Sequence, residues 1–213
     1  MEGGERGSSP GRGASRRQQG GRHTRQDPDV RLSKSLSYIL RHGAAELGLA
    51  MGKDGFLNVA DILHLPRFKH YSEQNVRQVV DLNSKQRFTL RLHPETGILQ
   101  IRANQGHTIP VEELELIPIS LEAGNVPDEA VHGTYLRLWP SIKGVGLRRM
   151  SRTHIHLATG LPQDGQVVSD GIAFYFSTNR VILTPGNHEG LLPPKYFEKV
   201  LQLKPTRCCL PLD

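Results

Sequence analysis

The sequence predicts an α+β protein built from two successive units, on three observations. Apolar residues recur at helical spacing between positions 29 and 80; two alternating runs then flank a Pro/Gly turn; and beyond Val131 the chain breaks into short apolar runs divided by Gly and Pro. At 213 residues, with 37% hydrophobic and 23% charged side chains, it has the size and composition of a globular protein with one large or two small cores.

Residues 1–28 are rich in Gly, Ser, Arg and Gln and nearly free of large apolar side chains. Such a stretch buries too little surface to offset its ordering entropy, so it is expected to be a disordered basic tail. Order is expected to begin near Asp29 as an N-cap, with Leu32, Leu36, Ile39 and Leu40 on the inner face of a helix. That helix runs into Arg41-His42 and stops at Gly43; Lys34 and Arg41, seven apart, share its outer face. Phe56-Leu57 reads as a short strand, Asn58 as the cap of a helix carrying Val59, Ile62 and Leu63, and Ser72 as the cap of a third helix through Val76, Val79 and Val80. Phe88–Leu92 and Ile98–Arg102 alternate on either side of His93-Pro-Glu-Thr-Gly97, the pattern of a β-hairpin. Helices followed by a hairpin describe a winged-helix lobe over 29–107, an architecture used for nucleic acids and for protein contacts alike.

Thr108–Ala130 is expected to hold strands and a linking loop. Short strands follow at His132–Tyr135, Thr153–Leu157, Gly171–Phe176 and Val181–Leu183, giving 108–213 a mixed lobe with a β core. Alternation within His154-Ile-His-Leu157 puts Ile155 and Leu157 on one face and both histidines on the other.

The chemistry-bearing residues are basic. Arg41-His42, Ile101-Arg-Ala-Asn-Gln-Gly-His107 and Ser151-Arg-Thr-His-Ile-His156 all fall in segments that otherwise read as ordered. A guanidinium is a rigid fork of donors matched to phosphate oxygens, so convergence of the three would make a phosphate pocket. Taken singly, Arg41-His42 is also the ordinary basic end of a helix, Arg102 a solvated strand residue, and His132-Gly-Thr134 a turn. A formal charge of +6 favours a polyanionic partner. Several classes are disfavoured. No run of about 18 apolar residues appears and the N-terminus lacks an apolar signal core, which argues against secretion or a membrane span and for a cytoplasmic or nuclear protein. Cys208 and Cys209 are adjacent and supply no disulfide framework; His154 and His156 lack cysteine or carboxylate partners for zinc; Gly144-Val-Gly146 lacks the rest of a dinucleotide fingerprint.

Four motifs in order, Leu32-Ser-Lys-Ser-Leu-Ser-Tyr-Ile-Leu-Arg-His42, Ile101–His107, His132-Gly-Thr134 and Ser151-Arg-Thr-His-Ile-His-Leu157, resemble the NAD-dependent RNA 2'-phosphotransferase family over about residues 30–205. The resemblance implies a winged-helix lobe for RNA and an ADP-ribosyltransferase-like lobe for NAD, which is a co-substrate, with no metal. It implies a monomer acting on tRNA with an internal 2'-phosphate, and products ADP-ribose 1'',2''-cyclic phosphate and nicotinamide. In the implied reaction the 2'-phosphate attacks C1'' of the nicotinamide ribose, and O2'' then attacks phosphorus to free the RNA. The family's Arg-His-Arg-Arg set falls on Arg41, His42, Arg102 and Arg152, with Arg148 and Arg149 as rivals for the last place. NAD contacts are implied at His132, Gly133, Thr134, Gly146, Ser151 and His156, and RNA contacts at Lys34, Arg41, His42 and Arg102. The alternative is a transferase that leaves ADP-ribose on a nucleic-acid phosphate or a protein.

Overall fold

A computed structural model describes residues 27–159 and 172–212. The expected tail lies outside them up to residue 26, as does Gly171 of an expected strand. Helix α1 spans Pro28–Tyr38, so Pro28, expected in the tail, is already helical. Its cap is Asp27 rather than Asp29: the Asp27 side chain accepts from Asp29 N–H, and Pro28, which needs no partner for an N–H, occupies the first turn.

The helical stretch ends at Gly43, as expected, but its last turn is not α-helical. Ile39–Gly43 form a π-helical turn, and Gly43 is in right-handed, buried backbone. A Cβ there would lie 2.6 Å from Cε1 of the half-exposed Tyr38 ring, so any larger residue requires that ring to shift. The extra residue in this turn also breaks the α-helical spacing from Lys34 to Arg41 on which a shared outer face was expected.

Strand β1 (Leu57–Asn58) leads into α2 (Val59–Leu63), where Asn58 bonds Asp61 through its side chain instead of capping the backbone. A 3₁₀ turn at Pro66–Phe68 precedes α3 (Glu73–Asp81), which Ser72 caps reciprocally with Asn75. Strands β2 (Phe88–Leu92) and β3 (Leu99–Ala103) pair antiparallel, Phe88 facing Ala103 and Leu92 facing Leu99. Ile98, expected in the strand, belongs to the turn, which closes through His93 N–H to Ile98 O. β1 adds to the outer edge of β3, giving the order β1-β3-β2. Leu32, Leu36, Ile39 and Leu40 of the first helical stretch, Val59, Ile62, Val76, Val79, Phe88 and Ile101 form one buried cluster.

The second half holds β4 (Leu116–Pro118), β5 (Ala130–Val131), a 3₁₀ turn at Leu136–Leu138, α4 (Trp139–Val145), β6 (Leu147–Arg148), β7 (Ile155–Thr159), β8 (Tyr175–Ser177), β9 (Ile182–Thr184), β10 (Leu191–Leu192), a 3₁₀ turn at Pro194–Tyr196, β11 (Val200–Gln202) and β12 (Cys208–Leu210). The central sheet runs β4-β8-β9-β7-β5, every pair antiparallel; β6 pairs with β10 and β11 with β12. Ile155, Leu157, Phe176, Ile182, Leu147 and Leu192 make a second buried cluster. His132–Tyr135, expected as a strand, is exposed loop: pairing with β7 stops at Val131. α4 was not expected: it is seven residues long and has no fully buried side chain, although Trp139, Ile142 and Val145 are at helical spacing and Ile142 packs against the second cluster. No helix among the described residues is long and apolar enough to cross a membrane.

Candidate active site

Three distant segments are fastened together by main-chain carbonyls. Arg41 O, in the π turn, accepts from Thr108 N–H at 3.0 Å and from the Thr108 hydroxyl at 3.4 Å. His107 O accepts from Thr153 N–H at 3.0 Å and from the Thr153 hydroxyl at 3.4 Å. Each threonine also holds a histidine: Nδ1 of His42 lies 2.9 Å from Thr108 Oγ1, and Nδ1 of His154 lies 2.9 Å from Thr153 Oγ1. Because both hydroxyl protons go to carbonyls, both oxygens accept from Nδ1–H, and the tautomer leaves Nε2 of each ring uncommitted.

The cations gathered here repel one another. Burial first, then Arg87 and Arg152, pull Arg41 down to about 10, so it stays charged at neutral pH but pays for the company it keeps. Its Nε and Nη2 are buried without a hydrogen-bond partner. The guanidinium lies on Gly106, whose φ is +89° and whose missing Cβ would sit 3.3 Å from Arg41 Cζ. His42 is shifted down by burial and then by Arg41 and Arg152. His156 is lowered to about 4 by burial, then by Arg152, His154 and Arg41, and its Nε2 is a second buried group without a partner. Burial and then Arg149 lower His154. Arg152 itself is exposed, at the rim. Of the three candidate arginines, Arg152 is the one whose charge reaches Arg41, His42 and His156. Arg149 is instead turned back, Nη1 to Arg152 O at 2.9 Å, and Arg148 is exposed beside Leu191.

Arg102 is not a solvated strand residue. It is 4% exposed, its Nη2 bonds Glu115 Oε2 at 2.5 Å and Thr178 Oγ1 at 3.3 Å, and its guanidinium stacks on the Phe56 ring at 4.8 Å. Arg91 covers the same ring at 3.7 Å and is tied to Asp54. Arg102 Nε remains without a partner, and its charge acts on His107. Lys34 stands apart: it is exposed and lines a groove between α1 and α3 with Ser33, Ser37, Asn83 and Arg87. Arg87 is the neighbour through which that groove meets Arg41.

Around His156 the chain offers a second set of groups. His132 Nδ1 lies 2.9 Å from His156 O; a carbonyl only accepts, so Nδ1 carries the proton and Nε2 is the acceptor nitrogen, with no partner among the described residues. Gly133 has open space where a Cβ would be, and Thr134 and Ser151 are exposed. Gly146 is buried with φ +104°, and its Cβ would collide with Leu192 O, which accounts for the glycine by packing alone. Among the described residues, no group of three or more His, Cys, Asp or Glu side chains is arranged to hold a metal ion.

His107 stood at the end of one of the basic motifs without a role of its own; Phe56, Arg87, Thr108, Glu115 and Thr153 were not given a role in the site from sequence. Thr108 and Thr153 carried a usable signal, each being a hydroxyl residue adjoining a histidine in a basic motif.

The neutral histidines give the fold a pH signature. Unfolded histidine takes up a proton near pH 6.5, whereas His107 and His156 do so only near pH 4 in the fold. Between those values the unfolded chain binds more protons, so stability is full above about pH 6.5 and falls as pH drops toward 4. The loss is on the order of a few kcal/mol for each ring. Thermal melts should fall by at least about 5 °C between pH 7 and pH 5, and replacing both rings by Asn should remove most of that dependence.

Residues 27–186 match the family described as RNA 2'-phosphotransferase, Tpt1 / KptA family. The chain is 49% identical to tRNA 2'-phosphotransferase 1 of Danio rerio, over 94% of this chain and 97% of that one. It is 51% identical to tRNA 2'-phosphotransferase 1 of Homo sapiens, over 85% and 79% of the two chains. To a probable RNA 2'-phosphotransferase of Flavobacterium johnsoniae it is 32% identical, over 78% and 94%. On the extent of that match and those identities, the chain belongs to the RNA 2'-phosphotransferase family.

Proposed function

We propose that this protein is an NAD-dependent tRNA 2'-phosphotransferase, which removes the 2'-phosphate left at a splice junction and yields ADP-ribose 1'',2''-cyclic phosphate and nicotinamide. The observation that carries the reading is the cluster of Arg41, His42, His107, Arg152 and His156, with Arg102 at its edge. Cations crowded into a half-buried space with unpaired guanidinium and imidazole nitrogens are stabilised by an anion of high charge, and a phosphate monoester dianion supplies it.

On this reading residues 29–107 act as a winged-helix lobe for RNA and 108–213 as an ADP-ribosyltransferase-like lobe for NAD, and the separate buried clusters of the two halves support the division. The groups around His156 suit a ribose and a carboxamide: the acceptor His132 Nε2, an unpartnered His156 Nε2, open space at Gly133 and the exposed hydroxyls of Thr134 and Ser151. NAD as substrate supplies C1'' as the electrophile and nicotinamide as the leaving group. Arg41 and Arg152 hold the phosphate as a dianion, since guanidinium does not surrender a proton that would blunt the nucleophile. When charge later redistributes over the phosphoryl oxygens, the same donors are already in place, and each contributes roughly 3–4 kcal/mol. His42, neutral and held by Thr108, offers Nε2 to accept or pass a proton.

The test is incubation of a 2'-phosphorylated oligonucleotide with and without NAD, followed by mass analysis. Loss of the phosphate only with NAD, together with a cyclic ADP-ribose phosphate, is expected. A stable ADP-ribosylated product and no cyclic phosphate would assign the chain to transferases that leave ADP-ribose attached. Arg152→Ala is expected to accumulate ADP-ribosylated RNA, visible by mass, whereas Arg148→Ala should turn over normally.

A further inference from the structure

The geometry points to His107 as a further contact for the RNA 2'-phosphate: an imidazole sealed from solvent, with neither ring nitrogen hydrogen-bonded, set among Arg41, His42, Arg102 and His154. The inference rests on the reading above and adds a specificity element to it.

A buried polar group without a partner is destabilising, and a histidine kept only for packing normally engages at least one nitrogen. The neighbouring histidines do so: Nδ1 of His42, His132 and His154 each lies 2.9 Å from a hydroxyl or carbonyl oxygen. His107 is 1% exposed and engages neither. Its placement is nevertheless fixed from the main chain. His107 O takes two bonds from Thr153, Gly106 packs under Arg41, and Thr108 bonds both Arg41 O and His42.

The groups acting on the ring are Arg41 and His42 from the π turn, Arg102 from β3 and His154 ahead of β7, with no carboxylate among them. Burial and those charges lower its pKa to about 4, so the resting ring is neutral. A neutral imidazole adds a donor to the cluster without adding to its repulsion. When a dianion enters, it offsets the positive field at the ring and accepts a hydrogen bond from it, which raises the share of the protonated form with two donors. A 2'-hydroxyl brings no such charge. His107 therefore favours RNA bearing the phosphate over RNA lacking it.

Binding is to be measured on the full chain with three probes: a 2'-phosphorylated oligonucleotide, the same oligonucleotide with a free 2'-hydroxyl, and NAD. The wild type should prefer the phosphorylated probe. His107→Asn should lose about 10-fold or more of that preference, while its affinity for the other two probes holds. Equal weakening of all three would make His107 structural, weakening of NAD alone would place it on the pyrophosphate, and an unchanged preference would remove it from the site; each overturns the proposal. Should the variant not fold, ring ¹⁵N shifts of His107 in the wild type give the answer, since a ring whose nitrogen shifts are unmoved by the phosphorylated probe is not its contact. A wild type that shows no preference for the 2'-phosphate instead refutes the functional reading on which the proposal stands.

Discussion

Arg41→Ala should lower 2'-phosphate transfer by about 10²–10³-fold and leave thermal stability within about 1 kcal/mol of wild type. Arginine removal usually forfeits an ion pair, but Arg41 forms none among the described residues: Nε and Nη2 are unpartnered, and its strongest charged neighbours are Arg87 and Arg152. Deleting the cation relieves repulsion that offsets the lost packing of its aliphatic stem on Gly106. Arg41→Lys should not restore the rate, because an ammonium cannot present two parallel donors to a phosphate. Steady-state release of the cyclic product and a thermal melt, run on the same preparation, check both halves. A collapse in melting temperature would make Arg41 a structural residue.

Gly146→Ala is the largest stability change expected, a loss of about 3 kcal/mol or more. A φ of +104° is poorly tolerated by any side chain, and here the Cβ also meets the backbone of Leu192, the β10 residue paired with Leu147. Backbone on both sides leaves nothing flexible to yield. Urea unfolding measures the loss, and KM for NAD on protein kept below its melting range separates it from any contact with the nucleotide. Full stability with a raised KM would instead favour the cofactor role that the resemblance implies.

The first half of the fold was readable because its core obeys simple periods: Leu32, Leu36, Ile39 and Leu40 at helical spacing, Val76 and Val79 one turn apart, and a hairpin whose two strands alternate. Its errors are local. Asp27 displaced Asp29 as a cap because Pro28 can enter the first turn without an N–H, and the π turn was invisible because nothing in Ile39-Leu-Arg-His-Gly43 distinguishes it from α-helix. The second half was less legible. Strands of two or three residues carry no measurable alternation, and α4 is only seven residues long with no fully buried side chain, although Pro140 in its first turn and the spacing of Trp139, Ile142 and Val145 were signals for it. The basic motifs were visible as residues, but what assembles them was not. Arg102 is governed by Phe56 and Glu115, and the convergence of the three segments depends on hydrogen bonds to carbonyls, which the sequence does not display.

Those carbonyl bonds decide where the chain can change length. Arg41 O to Thr108 and His107 O to Thr153 join positions far apart in sequence through consecutive residues, 107 and 108. A residue gained or lost in the exposed loop around Leu121–Gly124 leaves both joints intact. One inserted between His107 and Thr108 would separate the anchor of the π turn from the anchor of the Arg152 loop, and no side-chain substitution could bring them back. Length variation among relatives should therefore collect on either side of this dipeptide and spare it.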